Sequence, residues 1–365
     1  MTERERFIRC VLNKPIDRVP LISYFPPWGE TNERWQQEGA ATPSSWLDDF
    51  GFDQPVCLLA GYVNHYFYPP IEEKVLSREG NHEIYVDCLS ITNERIVGVS
   101  GIPKILKNPV ENRADWEKLK AERLNPDDPG RIHPEWKKIA KNLNGSDMVL
   151  QLGAYPYGFF GTLRDLIGAE ELLVMFYDEP DLVRDIMNDL ADFWLRIYEI
   201  ICRDVDVQMI HIWEDMSGKT GSLISPDMMN EFMKPCYLRV KAFADAHHIP
   251  VIVVDTDGNI SDMVDTFLGF GVNLMLPVEV QAGSDVVWLR ERFKDMSFFG
   301  GIDKRMLAIS KEAIDAELAR IEPLLKGSGY LPAPDHLVPP DVSWENYSYY
   351  ANRLRELVYK HKREV

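Results

Sequence analysis

The chain has 365 residues, is 45% hydrophobic and carries a net charge of −18 with a pI near 4.9. An acidic surface of that size repels phosphate backbones and anionic lipid, which makes nucleic acid and membrane surfaces poor partners, although a local basic pocket for an anionic substrate stays open. No apolar run reaches the roughly 18 residues of a membrane span, the first ten residues, MTERERFIRC, lack an apolar signal core, and the five cysteines (Cys10, Cys57, Cys88, Cys202, Cys236) are scattered without a CxxC, so a reducing, cytoplasmic setting is expected and no cysteine-based zinc site is legible.

In chain order, a short helix is predicted over 3–12 and a buried strand over 18–24 (RVPLISY). A helical pattern at 43–50 leads to a second strand, 54–60 (QPVCLLA). Residues 62–146 then interrupt the alternation. Within them 83–97 (EIYVDCLSITNERIV) reads as a β-hairpin with a Thr-Asn turn signal, followed by short helices at 115–123 and 134–143. Further strands are predicted at 147–153, 207–213, 250–254, 272–278, 296–301 and 329–334. The long segment 163–204 reads as two helices broken near Asp178-Glu179-Pro180. Ser225-Pro226 supplies an N-cap and a first-turn proline for a helix reaching about 247. Helices at 261–270, 284–293, 310–326 and 343–361 complete the set.

Short apolar strands alternating with helices predict an α/β fold with parallel strands buried on both faces. The favoured architecture is a single (β/α)8 barrel spanning 1–365, with 62–146 inserted between the second and third strands. A doubly wound open sheet is the competing topology. The absence of a Gly-rich turn after the first strand argues against its dinucleotide-binding form.

In such a barrel, chemistry gathers just after the strands. Those positions hold Glu214-Asp215, Asp255-Thr256-Asp257, Glu279, Asp303-Lys304 and Asp335-His336. Paired carboxylates repel unless a cation, proton or donor lies between them, so Asp255 and Asp257 read as hard-metal ligands or a general acid/base pair. They read equally as a helix cap and a loop-amide acceptor. His336, bracketed by prolines, suits proton transfer near neutral pH. His211 lies inside a strand and reads as packed. His65, in the aromatic run 62–68, is a candidate pocket residue. Tyr157, in the aromatic loop after the third strand, either stacks on a flat ligand or packs locally. One of Glu214 and Asp215 either meets substrate or metal or accepts bonds from the Ser217-Gly218-Lys219 loop. Asp303 and Trp28 complete the candidate substrate contacts.

Several segments together resemble the uroporphyrinogen decarboxylase superfamily. They are the first helix at 4–13, then Asp17-Arg18-Val19-Pro20, Ser225-Pro226-Asp227 with Pro235, Asp257-Gly258-Asn259, Gly300-Gly301-Ile302-Asp303, and His336-Leu337-Val338-Pro339-Pro340-Asp341 with Trp344-Glu345-Asn346. The resemblance implies one of two chemistries: cofactor-free removal of carboxyl groups from a tetrapyrrole, or zinc-dependent methyl transfer between a corrinoid protein and a thiol. The chain departs from both. Where the decarboxylases carry an arginine-rich segment, it reads Ser23-Tyr24-Phe25-Pro26-Pro27-Trp28-Gly29. Where the methyltransferases carry His-x-Cys and a later cysteine, it reads Asp255, Asp257 and His336, a harder set suited to zinc or to manganese, iron or magnesium.

The leading expectation is therefore a methyltransferase-like enzyme acting between a small substrate and a corrinoid protein. Asp255, Asp257 and His336 would hold a divalent metal or move protons, and Glu214 or Asp215 would assist. Decarboxylation of a substrate such as uroporphyrinogen is the alternative, and a non-catalytic binding protein on a degenerate barrel is the third. The resemblance also implies a homodimer.

Overall fold

The computed structural model describes residues 1–40, 49–53, 56–98, 101 and 103–364. In chain order the strands are β1 (Cys57–Leu58), β2 (Lys74–Glu79), β3 (His82–Val86), β4 (Thr92–Ile96), β5 (Lys104–Lys107), β6 (Leu150–Leu152), β7 (Met209–Trp213), β8 (Ser217–Gly218), β9 (Gly221–Ser222), β10 (Val251–Asp255), β11 (Leu274–Val278), β12 (Ser297–Ile302) and β13 (Tyr330–Pro334). Seven of them form one parallel sheet in the order β1-β6-β7-β10-β11-β12-β13. Each neighbour in that sheet is the next parallel strand along the chain. A doubly wound sheet would reverse direction at a switch point, and this one does not.

The predicted first strand, 18–24, joins no ladder among the described residues. Its middle residue, Leu21, donates to the Asp53 carboxylate at 2.8 Å and accepts from the Asp53 amide at 2.7 Å. A side chain thus takes the bond that a strand neighbour's carbonyl would take. Arg18 closes the arrangement with a buried ion pair to Asp53. The predicted helix at 43–50 and the start of the strand at 54–60 fall largely outside the described residues.

Helix breaks follow local chemistry. The segment predicted as two helices holds three: Phe159–Ile167, Ala169–Asp178 and Pro180–Cys202. The Asp178–Pro180 break stands. The extra one falls at Gly168, whose φ of 103° a side chain would resist. Ser225, Ser310 and Ser343 each cap a helix, accepting from the amides of Met228, Ala313 and Asn346.

Between β1 and β6 in the chain stand the antiparallel sheet β2-β3-β4-β5 and the helices Arg113–Arg123 and Trp136–Asn144. The predicted hairpin is β3–β4, but its turn is not at Thr92-Asn93, which lie on β4. The Asp87 carboxylate accepts from the Leu89 and Ile91 amides at 2.9 Å each and makes the turn there. Among the described residues, no helix is long and apolar enough to cross a membrane.

Candidate functional site at the strand ends

The C-terminal ends of β10, β11 and β13 meet in one place. Beyond β10, the Thr256 amide donates to Leu276 at 2.8 Å and its hydroxyl accepts from the Met216 amide at 3.0 Å. Gly258 follows at φ 88°, and a Cβ there would sit 2.6 Å from the Ser217 backbone. That close approach fixes the turn carrying Asp257. The Gly258 amide donates to Glu279 Oε2 at 2.9 Å, tying the turn to the end of β11. Beyond β13, Asp335 is fully buried and accepts from the amides of Val280 (3.0 Å) and Lys304 (3.1 Å), which anchors the loop presenting His336.

Asp257, Glu279 and His336 consequently converge, with one ligand-type atom from each lying within 4.8 Å of the other two. His336 Nε2 stands 3.4 Å from Asp257 Oδ1, and its ring stacks on Phe25 at 5.6 Å. Burial works against a charged imidazole, but the hydrogen bond and charge of Asp257 outweigh it and lift His336 above the ordinary histidine range. Two carboxylates and an imidazole make a donor set for a hard or borderline divalent cation. Lys304 Nζ, 3.8 Å from Glu279 Oε1, is the competing source of positive charge.

Asp255, predicted with Asp257 and His336 as a ligand, lies outside this cluster. Its Oδ2 meets His211 Nε2 at 3.1 Å on the adjacent strand. Glu214 is also spent elsewhere. Gly158 and Gly161 let the helix Phe159–Ile167 press onto the end of β7, where Cβ atoms would lie 1.6 and 2.4 Å from the Trp213 carbonyl oxygen. The buried Glu214 carboxylate then accepts from the Phe160 amide (2.6 Å), the Gly161 amide (3.1 Å) and the Tyr237 hydroxyl (2.6 Å). Burial still pushes it up to about 7 against those donors. Asp215 pairs with Arg164, whose guanidinium also lies over Trp213.

The remaining candidates divide by burial. Asp303 caps the helix Lys304–Ile309 and pairs with Arg305 at 2.7 Å. His65 is fully buried and held neutral, its pKa driven down to about 3 by burial and then by Arg131. Tyr157 packs between His65 and Tyr66, at ring distances of 5.7 and 5.6 Å. Trp28 is exposed and donates its amide to Val338 at 3.1 Å. None of the four joins the cluster.

Beside the cluster opens a cavity of about 350 Å³, lined among others by Tyr24, Phe25, Tyr155, His211 and Asp255. His211, read from sequence as packed, is indeed 2% exposed, yet it lies at this cavity on Asp255. The signal was strand parity: His211 shares a face with Met209 and Trp213 and points the way the strand-end residue does. In the aromatic loop the cavity residue is Tyr155 rather than Tyr157. Glu279 was legible as a strand-end residue, but nothing in the sequence showed that it would turn toward Asp257.

The family model for uroporphyrinogen decarboxylase (URO-D) matches residues 95–357. A comparison with curated proteins gives no match. Among solved structures, a methyltransferase from Methanosarcina mazei superposes with a TM-score of 0.62 at 16% identity, over 98% of each chain, a likeness of fold.

Proposed function

The chain belongs to the uroporphyrinogen decarboxylase family, and from that premise we propose that it is a cytoplasmic (β/α)8-barrel enzyme moving a methyl group between a small substrate and a corrinoid protein. The observation that carries this reading is the convergence of Asp257, Glu279 and His336 at the strand ends. Two of these residues stand where the resemblance places metal ligands. The structural likeness to a methyltransferase agrees with it. A divalent cation held there would polarise a substrate heteroatom as a Lewis acid. The donors are oxygen and nitrogen, so they fit a harder cation better than the thiolate-bound zinc of the thiol methyltransferases.

The chain's own residues set the rest. Phe25 stacks on the His336 ring and fixes its plane, and Asp257 orients its Nε2. Asp335 locks the loop behind it through two amides. Decarboxylation of a polyanionic tetrapyrrole fits poorly, because no arginine or lysine lines the cavity among the described residues. Carboxylates placed there would meet Asp255 uncompensated. The third reading, a binding protein without turnover, leaves the cluster of charges at the strand ends unused.

The test uses methylcobalamin in place of the corrinoid protein, with dimethylamine, methanol, phenol and 2-mercaptoethanol as acceptors, followed by the visible spectrum of the corrinoid. Enzyme-dependent demethylation with one acceptor, lost in Asp257→Ala, is the expected result. No demethylation together with carbon dioxide release from uroporphyrinogen would transfer the assignment to the decarboxylases. Neither activity would favour the binding protein.

A further inference from the structure

The cavity beside the cluster has a composition of its own. Its walls are aromatic: Tyr24 and Phe25 stand edge to face at 5.3 Å, and Tyr155 meets Trp213 edge to face at 4.7 Å. Tyr155 is 59% exposed and forms an outer rim. Among the described lining residues the charged side chain is Asp255, 17% exposed and backed by the buried His211. Oδ2 takes the His211 contact, and Oδ1 makes no hydrogen bond among the described residues. Of the other acids, Asp215 has Arg164, Asp257 has His336 and Glu279 has Lys304 close by.

Aromatic side chains around a carboxylate with no arginine or lysine among the described lining residues are the recognition chemistry of an N-methylated ammonium ion. The ring quadrupoles attract the diffuse positive charge, and the methyl groups bury apolar surface. We infer that this cavity binds the N-methylated ammonium group of the substrate, with Asp255 as counter-ion and Tyr24, Phe25 and Tyr155 as the aromatic walls. The inference rests on the methyl-transfer reading for its purpose but not for its test. A cation there relieves the Asp255 charge, and an anion is repelled by it.

Titration calorimetry on the full chain tests this with three probes of similar shape at fixed ionic strength: tetramethylammonium, the neutral tert-butanol and the anion pivalate. Tetramethylammonium binds at least about tenfold more tightly than tert-butanol, and pivalate does not bind. Asp255→Asn removes the preference for the cation but leaves tert-butanol binding in place, which also shows that the variant is folded. Tyr155→Leu, at the exposed rim, weakens tetramethylammonium about threefold with little change for tert-butanol. Equal binding of the cation and tert-butanol, any preference for pivalate, or an Asp255→Asn variant that keeps the cation preference would overturn the inference. Methyl transfer from a non-ammonium substrate without tetramethylammonium binding would overturn it and leave the proposed activity standing. Tetramethylammonium binding without any methyl transfer would do the reverse.

Discussion

Two acidic pairs end neighbouring strands, and the fold uses them in opposite ways. Glu214-Asp215 follows β7, and Asp255-x-Asp257 ends β10. Glu214 is buried completely and bound by three donors from the helix Phe159–Ile167 and Tyr237. The Asp257 side chain is 41% exposed and meets His336 and Glu279. The difference originates in glycines. Gly158 and Gly161 bring a helix N-terminus, with its free amides, onto Glu214. Gly258 instead turns the chain away after Asp257 and donates its amide to Glu279. A strand-end carboxylate is therefore structural or chemical according to what the next helix presses onto it.

That contrast breaks first at Glu214. Glu214→Ala leaves three buried donors without an acceptor and lowers unfolding free energy by roughly 3–5 kcal/mol, read from a denaturant midpoint. Asp257→Ala and His336→Ala give the opposite pattern: turnover falls by about a hundredfold or more. Their stability changes by less than about 1 kcal/mol, because both side chains are partly exposed.

A pH series sharpens the same contrast. Burial pushes Glu214 up to about 7 from its ordinary 4.5, so the native chain holds the extra proton between those values. Stability from this group is full below pH 4.5 and is lost as pH rises through 7, by about 3 kcal/mol. Glu214→Gln should flatten that slope, and an unchanged slope would show that another group produces it. The smallest effect belongs to Asp303. Asp303→Asn keeps a competent helix cap and loses only the half-exposed Arg305 pair, costing about 1 kcal/mol with turnover unchanged.

The fold was largely legible because its signals are local. Apolar runs marked β6, β7 and β10–β13, and Ser225-Pro226 marked a helix start. The strand at 18–24 failed because its hydrogen bonds depend on the side chain of Asp53, a partner that periodicity does not encode. The hairpin turn was misplaced because Asp87 makes it through its carboxylate. At the site, Asp257 and His336 were legible as polar residues following buried strands. Glu279 was legible in the same way, but its place in the group was not. Whether Asp255 or Glu279 completes the group depends on cross-strand partners: His211 claims Asp255, and Gly258 holds Glu279 in place.

We propose that Asp257, Glu279 and His336 form one cation site in which Glu214 takes no part. Elemental mass spectrometry of the purified chain, after loading with zinc or manganese and dialysis, measures this directly. Close to one ion per chain is expected in the parent and in Glu214→Gln, and loss of the ion in Asp257→Ala, Glu279→Gln and His336→Ala. A parent that holds no ion after loading would rule out a cation site there, and a Glu279→Gln variant that keeps the ion while Asp255→Asn loses it would put Asp255 in the site instead of Glu279.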